Sequence, residues 1–96
     1  YSATKAALIQ ATKSQSIELA KYNICVNALA PGYILTDINK AELEGKAGES
    51  LKKKIPLKRF ATVNELDTII SMLLNVSNTY MTGAVIAVDG GISTGL

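Results

Sequence analysis

Two short apolar runs, at residues 24–30 and 84–88, constrain the fold of this chain more than any other feature. Each run is mostly continuous rather than alternating, and each ends at a turn signal, Pro31-Gly32 after the first and Asp89-Gly90-Gly91 after the second. Continuous apolar runs of this length are typical of strands that are buried on both faces in a parallel sheet. The sequence therefore predicts two buried parallel strands.

A helical pattern precedes each predicted strand. Good helix formers extend from Ser2 to about Tyr22, and Thr62-Val63-Asn64-Glu65 has the spacing of a capping box. The apolar positions after this box recur with the period of a helix: Leu66, Ile69, Ile70, Leu73 and Leu74. A polar segment at 36–58 is long enough to predict a functional flap with some local helix. This order is typical of an α/β fold, and we expect one edge of a larger doubly wound parallel sheet.

Composition excludes several classes of function. Of the 96 residues 48% are hydrophobic and 19% charged, which describes at most one globular domain. The net charge of +2 is too small for a nucleic-acid or membrane footprint, and no apolar stretch approaches the roughly 18 residues of a membrane span. The single cysteine, Cys25, lies in an apolar run and is expected to be a reduced, buried thiol, and without a histidine to activate it we do not expect a nucleophile. No metal site is expected. Because no signal-peptide pattern is present either, the protein is expected to be cytoplasmic.

The start of the sequence suggests that it is a piece of a longer protein. It begins with Tyr1 rather than Met and enters a helical pattern without an N-cap residue. Two parallel strands do not make a stable sheet by themselves. We therefore expect that an N-terminal half of the domain is absent from this sequence.

The spacing of Tyr1 and Lys5 indicates acid/base chemistry. Residues four apart lie on the same face of a helix, so the Lys5 ammonium can stand beside the Tyr1 phenol. A nearby cation favours the phenolate and lowers the pKa of a phenol, which makes Tyr1 a candidate general acid/base.

Two alternatives from other functional classes remain open. Ser2-Ala3-Thr4-Lys5 also fits the S-x-x-K pattern of serine acyl-enzymes, although the S-D-N and K-T-G partners of that pattern are missing. The chain could instead be a truncated, non-enzymatic remnant that only assembles with itself or with intact subunits.

Several motifs, in order and at sensible spacing, resemble the C-terminal part of a short-chain dehydrogenase/reductase. The segments are Tyr1-Ser2-Ala3-Thr4-Lys5-Ala6-Ala7-Leu8, Val26-Asn27-Ala28-Leu29-Ala30-Pro31-Gly32-Tyr33-Ile34-Leu35-Thr36, Tyr80-Met81-Thr82-Gly83 and Val88-Asp89-Gly90-Gly91. Within that family the chain is most similar to bacterial 3-oxoacyl-carrier-protein reductases and to sugar or polyol dehydrogenases.

The resemblance implies a fold, a reaction and a site. Residues 1–96 would be the C-terminal edge of one Rossmann-like, NAD(P)-binding domain, with 37–58 as the substrate lid. NAD or NADP would exchange hydride with a small-molecule alcohol or carbonyl substrate, while Tyr1 exchanges the proton and Lys5 assists it. Six residues would contact the cofactor: Tyr1, Lys5, Pro31, Gly32, Ile34 and Thr36.

The resemblance also sets limits on this piece of the protein. A Gly-rich dinucleotide loop and an acidic residue that chooses between NAD and NADP are absent, so we expect residues 1–96 alone to be inactive. The intact protein is expected to be a homo-oligomer, a dimer or more specifically a homotetramer. The 2–20 helix would form one interface, and 69–74 with the 84–88 strand would form another.

Overall fold

The computed structural model describes residues 2–94, with the side chain of Ser2 left undescribed, and the chain divides into two compact units. The first unit comprises Tyr1–Leu29 and Met72–Ile86, and the second comprises Ala30–Ser71 and Ala87–Leu96. In chain order the helices and strands are α1 (Ser2–Leu19), β1 (Ala28–Pro31), β2 (Ile34–Leu35), α2 (Lys40–Leu43), α3 (Lys46–Lys54), β3 (Ala61–Thr62), α4 (Val63–Leu74) and β4 (Val85–Val88).

Helix α1 confirms the first predicted helix, and its last turn tightens into a 3₁₀ helix at Ala20–Tyr22. The helix stops at Asn23, which takes the left-handed conformation at φ 59°, a common way for a helix to end. Its buried face includes two polar residues, Thr12 and Ser16. Their hydroxyls donate to the carbonyls of Leu8 and Lys13 at 2.8 and 2.6 Å, so their burial leaves no hydrogen-bonding group unsatisfied.

Strand β1 starts four residues later than the apolar run predicts and includes Pro31. In the stretch before it, side chains make several of the hydrogen bonds that a strand would make through its backbone. The backbone N–H of Val26 donates to Thr82 Oγ1 at 3.0 Å, and the Asn27 carboxamide bonds Met81 O and Ala84 N, both at 3.0 Å. One backbone bond also joins the two stretches, from the Gly83 N–H to the Val26 carbonyl at 2.7 Å, so residues 24–27 are anchored mainly by side chains and not by a regular sheet ladder.

Cys25 lies in this side-chain-anchored stretch, and the prediction that its thiol is buried is wrong. The thiol is exposed because the strand begins only at Ala28. Its Sγ lies 3.9 Å from the carbonyl oxygen of Thr79, too far to hold it in place strongly.

The strands form two parallel pairs, β1 with β4 and β2 with β3. Along β1 and β4 the partners advance together: Ala28 N–H donates to Ala84 O at 2.9 Å, and Gly32 N–H to Val88 O at 3.0 Å. Strand β4 confirms the predicted 84–88 strand, whereas β2 and β3 are only two residues long each and carry no detectable period in the sequence.

The predicted burial of the strands is wrong in degree, since most residues of β1 and β4 are half-buried. A parallel sheet is fully buried only where elements cover both of its faces. Full burial of apolar side chains occurs instead around the predicted flap, which forms α2 and α3 as expected. The core residues Leu43, Ile55 and Phe60 are 7%, 2% and 8% exposed.

Helix α4 confirms the second predicted helix and one half of its capping box. The Glu65 carboxylate accepts the backbone N–H of Thr62 at 3.0 Å, which satisfies a donor at the N-terminal end of the helix.

Candidate functional site

The predicted acid/base pair is only partly described. Lys5 lies on α1 and is exposed. Tyr1 and the side chain of Ser2 lie outside the described residues, so the pairing of Tyr1 with Lys5 and the S-x-x-K alternative both stay predictions.

The other predicted cofactor residues lie together in the second unit, at the end of β1 and in β2. Pro31 is exposed, and Gly32, Ile34 and Thr36 are half-buried. Ligands bind at the carboxyl ends of parallel strands in open α/β sheets, which is where this segment lies. The segment 31–36 is therefore the candidate cofactor-binding segment of the second unit.

Gly32 has a packing reason to be glycine that does not depend on a ligand. A Cβ at this position would lie 2.7 Å from Asp89 Cβ and 2.8 Å from Asp89 Cα. Such distances are well inside van der Waals contact, so any side chain would push the ends of β1 and β4 apart. The Asp89-Gly90-Gly91 turn, as predicted, ends β4, with Gly90 and Gly91 at φ 66° and 93°.

Asn39 is a site residue that the sequence did not reveal. Its Oδ1 accepts the backbone N–H of Thr36 at 2.7 Å, and its Nδ2 donates to the carbonyl oxygen of Ile34 at 2.9 Å. A single carboxamide thus bridges two of the predicted cofactor-binding residues. The asparagine precedes α2 in a polar segment without periodicity, so no sequence pattern singled it out.

Arg59 and Glu65 form a second polar feature in the same unit. Arg59 Nη1 and Nη2 each donate to a Glu65 carboxylate oxygen at 2.7 Å, in bidentate geometry. These hydrogen bonds, followed by the one from the Thr62 backbone, lower the pKa of Glu65 to about 2, and the same contact raises the pKa of Arg59. The capping-box spacing predicts Glu65, but a loop arginine six residues earlier gives no signal.

A cavity of about 110 Å³ lies beside this ion pair. Its lining is mainly apolar and includes Tyr33, Ile55, Leu57 and Val88 together with Arg59 and Glu65. Tyr33 of the candidate cofactor-binding segment lines this cavity, whereas Gly32, Ile34 and Thr36 of the same segment do not.

Residues 2–94 contain neither a metal-binding cluster nor a membrane-spanning helix. No cluster of three or more His, Cys, Asp or Glu side chains is arranged to bind a metal ion there. In the same range, no helix has the length and apolarity needed to cross a membrane.

Helices that alternate with short parallel strands, and a candidate ligand segment at a strand end, define an α/β protein of the Rossmann type. Comparison with known proteins is consistent with this class. The family model described as "Enoyl-(Acyl carrier protein) reductase" matches residues 1–93. The chain belongs to this family, among the short-chain dehydrogenases/reductases.

Two relatives and one solved structure illustrate the similarity. The 3-oxoacyl-[acyl-carrier-protein] reductase FabG of Aquifex aeolicus is 45% identical over 96% of this chain and 37% of its own length. The NAD-dependent glycerol dehydrogenase of Listeria innocua is 38% identical over 95% of the chain and 36% of its own length. YwfH, an NADPH-dependent reductase involved in bacilysin biosynthesis, superposes with a TM-score of 0.84 at 38% identity, covering 95% of this chain and 38% of its own.

The chain thus spans only 36–38% of the length of these three proteins. Reactions, substrates and cofactors named for them describe enzymes more than twice as long. The resemblance to reductases and polyol dehydrogenases is confirmed as a family membership.

Proposed function

We propose that the intact protein that contains this chain is an NAD(P)-dependent oxidoreductase that interconverts an alcohol and a carbonyl group. The observation that carries the proposal is the family match over residues 1–93, which includes Tyr1, Lys5 and all of 31–36. The N-terminal part of the same domain would supply the phosphate-binding loop, which this chain does not contain. We place the protein in the cytoplasm.

In the proposed reaction the cofactor transfers the hydride and the protein transfers the proton. The nicotinamide, when bound, supplies or accepts the hydride. The Tyr1 hydroxyl gives a proton to the carbonyl oxygen during reduction and takes one from the alcohol during oxidation. The Lys5 ammonium would lower the pKa of the Tyr1 phenol and would hold the nicotinamide ribose, so the same cation would assist both the acid and cofactor binding.

The residues at 31–36 fit a nicotinamide amide. Strand β2 pairs with β3 through the Tyr33 carbonyl, which accepts the Ala61 N–H at 3.0 Å. Backbone groups of successive strand residues point to opposite edges, so the N–H of Ile34 points away from β3. An N–H on an open strand edge and the hydroxyl of Thr36 are a donor and an acceptor of the kind that a primary amide requires.

The relatives support a nicotinamide cofactor and an alcohol or carbonyl substrate, but they do not distinguish NAD from NADP or one substrate from another. One has an NAD-dependent activity and another protein of the family uses NADPH, and their names cover acyl-carrier and polyol substrates. We propose NAD or NADP as the cofactor and a small-molecule alcohol or carbonyl compound as the substrate. Residues 37–58 would close over that substrate as a lid.

Replacing the Tyr1 hydroxyl tests the proposal directly. In the intact protein, Tyr1→Phe is expected to lower kcat by about 10²–10⁴, the usual contribution of a positioned acid/base, while the Kd for NAD(P)H changes by no more than a few-fold. Steady-state kinetics and calorimetry provide the two measurements. Tyr22→Phe is the matched control, because Tyr22 is 62% exposed in the first unit.

The possible results separate the proposed roles. A Tyr1→Phe variant that retains the kcat of the parent protein would show that Tyr1 is not the proton donor. An intact protein that assembles but neither binds NAD(P)H nor turns over alcohols or ketones would favour the non-enzymatic alternative.

A further inference from the structure

The Asn39 carboxamide occupies one edge of β2 as a neighbouring strand would. Its Oδ1 accepts the backbone N–H of Thr36 at 2.7 Å, and its Nδ2 donates to the carbonyl oxygen of Ile34 at 2.9 Å. The partners fix the orientation of the amide, since a backbone N–H can only donate and a carbonyl oxygen can only accept. Asn39 is half-buried, which shields these two bonds from competition by water.

This arrangement determines which groups of the segment a ligand can use. On the edge opposite β3, Ile34 presents both its N–H and its carbonyl, and Thr36 presents its N–H. Asn39 takes the Ile34 carbonyl and the Thr36 N–H. Two groups then remain for a ligand: the Ile34 N–H, which is a donor, and the Thr36 hydroxyl, which can accept a hydrogen bond.

We infer that Asn39 is a positioning residue that sets the orientation of the nicotinamide amide, an inference that rests on the proposed function. The Ile34 carbonyl could otherwise accept the amide NH₂ and allow the amide to bind turned around. The Asn39 Nδ2–H group competes with the amide NH₂ for that carbonyl. This favours the orientation in which the amide oxygen accepts the Ile34 N–H and the amide NH₂ donates to the Thr36 hydroxyl. One orientation of the amide presents one face of the ring to the substrate.

Ligands that differ only by the nicotinamide provide the sharpest test. In the intact protein, Asn39→Ala is expected to weaken binding of NADH or NADPH about tenfold, as the loss of one or two hydrogen bonds predicts. Affinity for ADP-ribose, or for its 2′-phosphate if NADP is the cofactor, should stay within about twofold, since these ligands lack the ring that the segment holds. Calorimetry measures both, and Asn64→Ala, an exposed asparagine on α4, is the matched control.

A second variant separates the two hydrogen bonds. Asn39→Asp keeps the acceptor for the Thr36 N–H but places an oxygen against the Ile34 carbonyl. It should therefore show the same selective loss as Asn39→Ala. Transfer from NAD(P)H deuterated on one face of the ring should also become less stereospecific in both variants, a result that simple destabilisation would not produce.

The outcomes distinguish this inference from the proposed function. Equal losses for NAD(P)H and ADP-ribose, or no loss in either variant, would overturn the role of Asn39 while leaving the oxidoreductase proposal intact. If the parent protein binds ADP-ribose and NAD(P)H with the same affinity, the 31–36 segment does not hold the nicotinamide and the inference fails. If the parent binds neither ligand, both the inference and the proposed function are wrong.

Discussion

Glu65 joins the start of α4 to the loop before it through four donors. Arg59 contributes two of them, and Thr62 contributes its backbone N–H and, at 3.4 Å, its hydroxyl. The folded-state pKa of Glu65 is about 2, below its ordinary value of 4.5. A depressed carboxylate pKa contributes stability that is fully present above pH 4.5 and is lost as the pH falls toward about 2.

The pH dependence of Glu65→Gln checks this coupling. The Tm of the parent protein should exceed that of Glu65→Gln by a constant amount above pH 4.5, and the difference should shrink between pH 4.5 and about 2. Differential scanning calorimetry across this range gives the measurement. Asp67→Asn on the same helix is the control, since among the described residues Asp67 makes no ion pair. A difference that does not vary with pH would contradict the assignment.

Single residues could be predicted only where local spacing encodes them. The capping box identifies Glu65 because its partner lies three residues away on the same helix end. Asn39 and Arg59 make hydrogen bonds to groups that come close only because of the course of the loops. Cys25 is exposed because β1 begins three residues after it. The course of a loop and the first residue of a strand depend on tertiary contacts. Hydrophobic periodicity in a single sequence does not indicate such contacts.

At the scale of elements, the contact between α2 and α3 depends on Gly48. A Cβ there would lie 1.5 Å from the Leu43 carbonyl oxygen and 2.3 Å from its carbon, which are backbone atoms. The backbone would have to move, and Leu43 belongs to the core of the second unit. Gly45 differs, because its nearest atom, the Glu42 oxygen, would be 3.4 Å away.

The two glycines therefore form a matched pair. Gly48→Ala should lower the free energy of unfolding by about 1–3 kcal/mol, the usual cost of overpacking, whereas Gly45→Ala at the N-cap of α3 should change it by less than about 1 kcal/mol. Urea denaturation of the intact protein monitors both. Similar effects of the two substitutions would mean that the helices are not in close contact.

The elements that the sequence predicted well are the long or strongly apolar ones. Helices α1 and α4 and strand β4 lie within a few residues of their predicted bounds, because hydrophobic period and capping are local. The two-residue strands β2 and β3 exist only through their pairing with each other. Their register pairs residue 34 with residue 61. These residues are too far apart in the chain for any local sequence pattern to indicate the pairing.

At the scale of the whole molecule, exposed apolar surface points to subunit contacts. On α1 the buried residues Thr12 and Ser16 lie on one face, and the small residues Ala3, Ala7, Ala11 and Ser14 lie exposed on the opposite face. Small side chains let a second helix approach closely. On α4, Ile70 and Leu74 are 40% and 77% exposed, although burying such a side chain contributes about 1.5–3 kcal/mol. Both surfaces are available for contacts with other copies of this protein as well as with the rest of its own domain.

We therefore predict that the intact protein is a homotetramer with two kinds of interface, one formed by the 2–20 helix and one by residues 69–74 with the 84–88 strand. A charge at the centre of the small-residue face should disrupt the first interface alone, because an unpaired buried charge is costly. Light scattering should give a mass of four protomers for the parent and two for Ala11→Asp. Ser50→Asp, which adds the same charge to an exposed position of α3, should remain tetrameric. A monomeric parent, or an Ala11→Asp variant of unchanged mass, would show that the α1 face is not an interface.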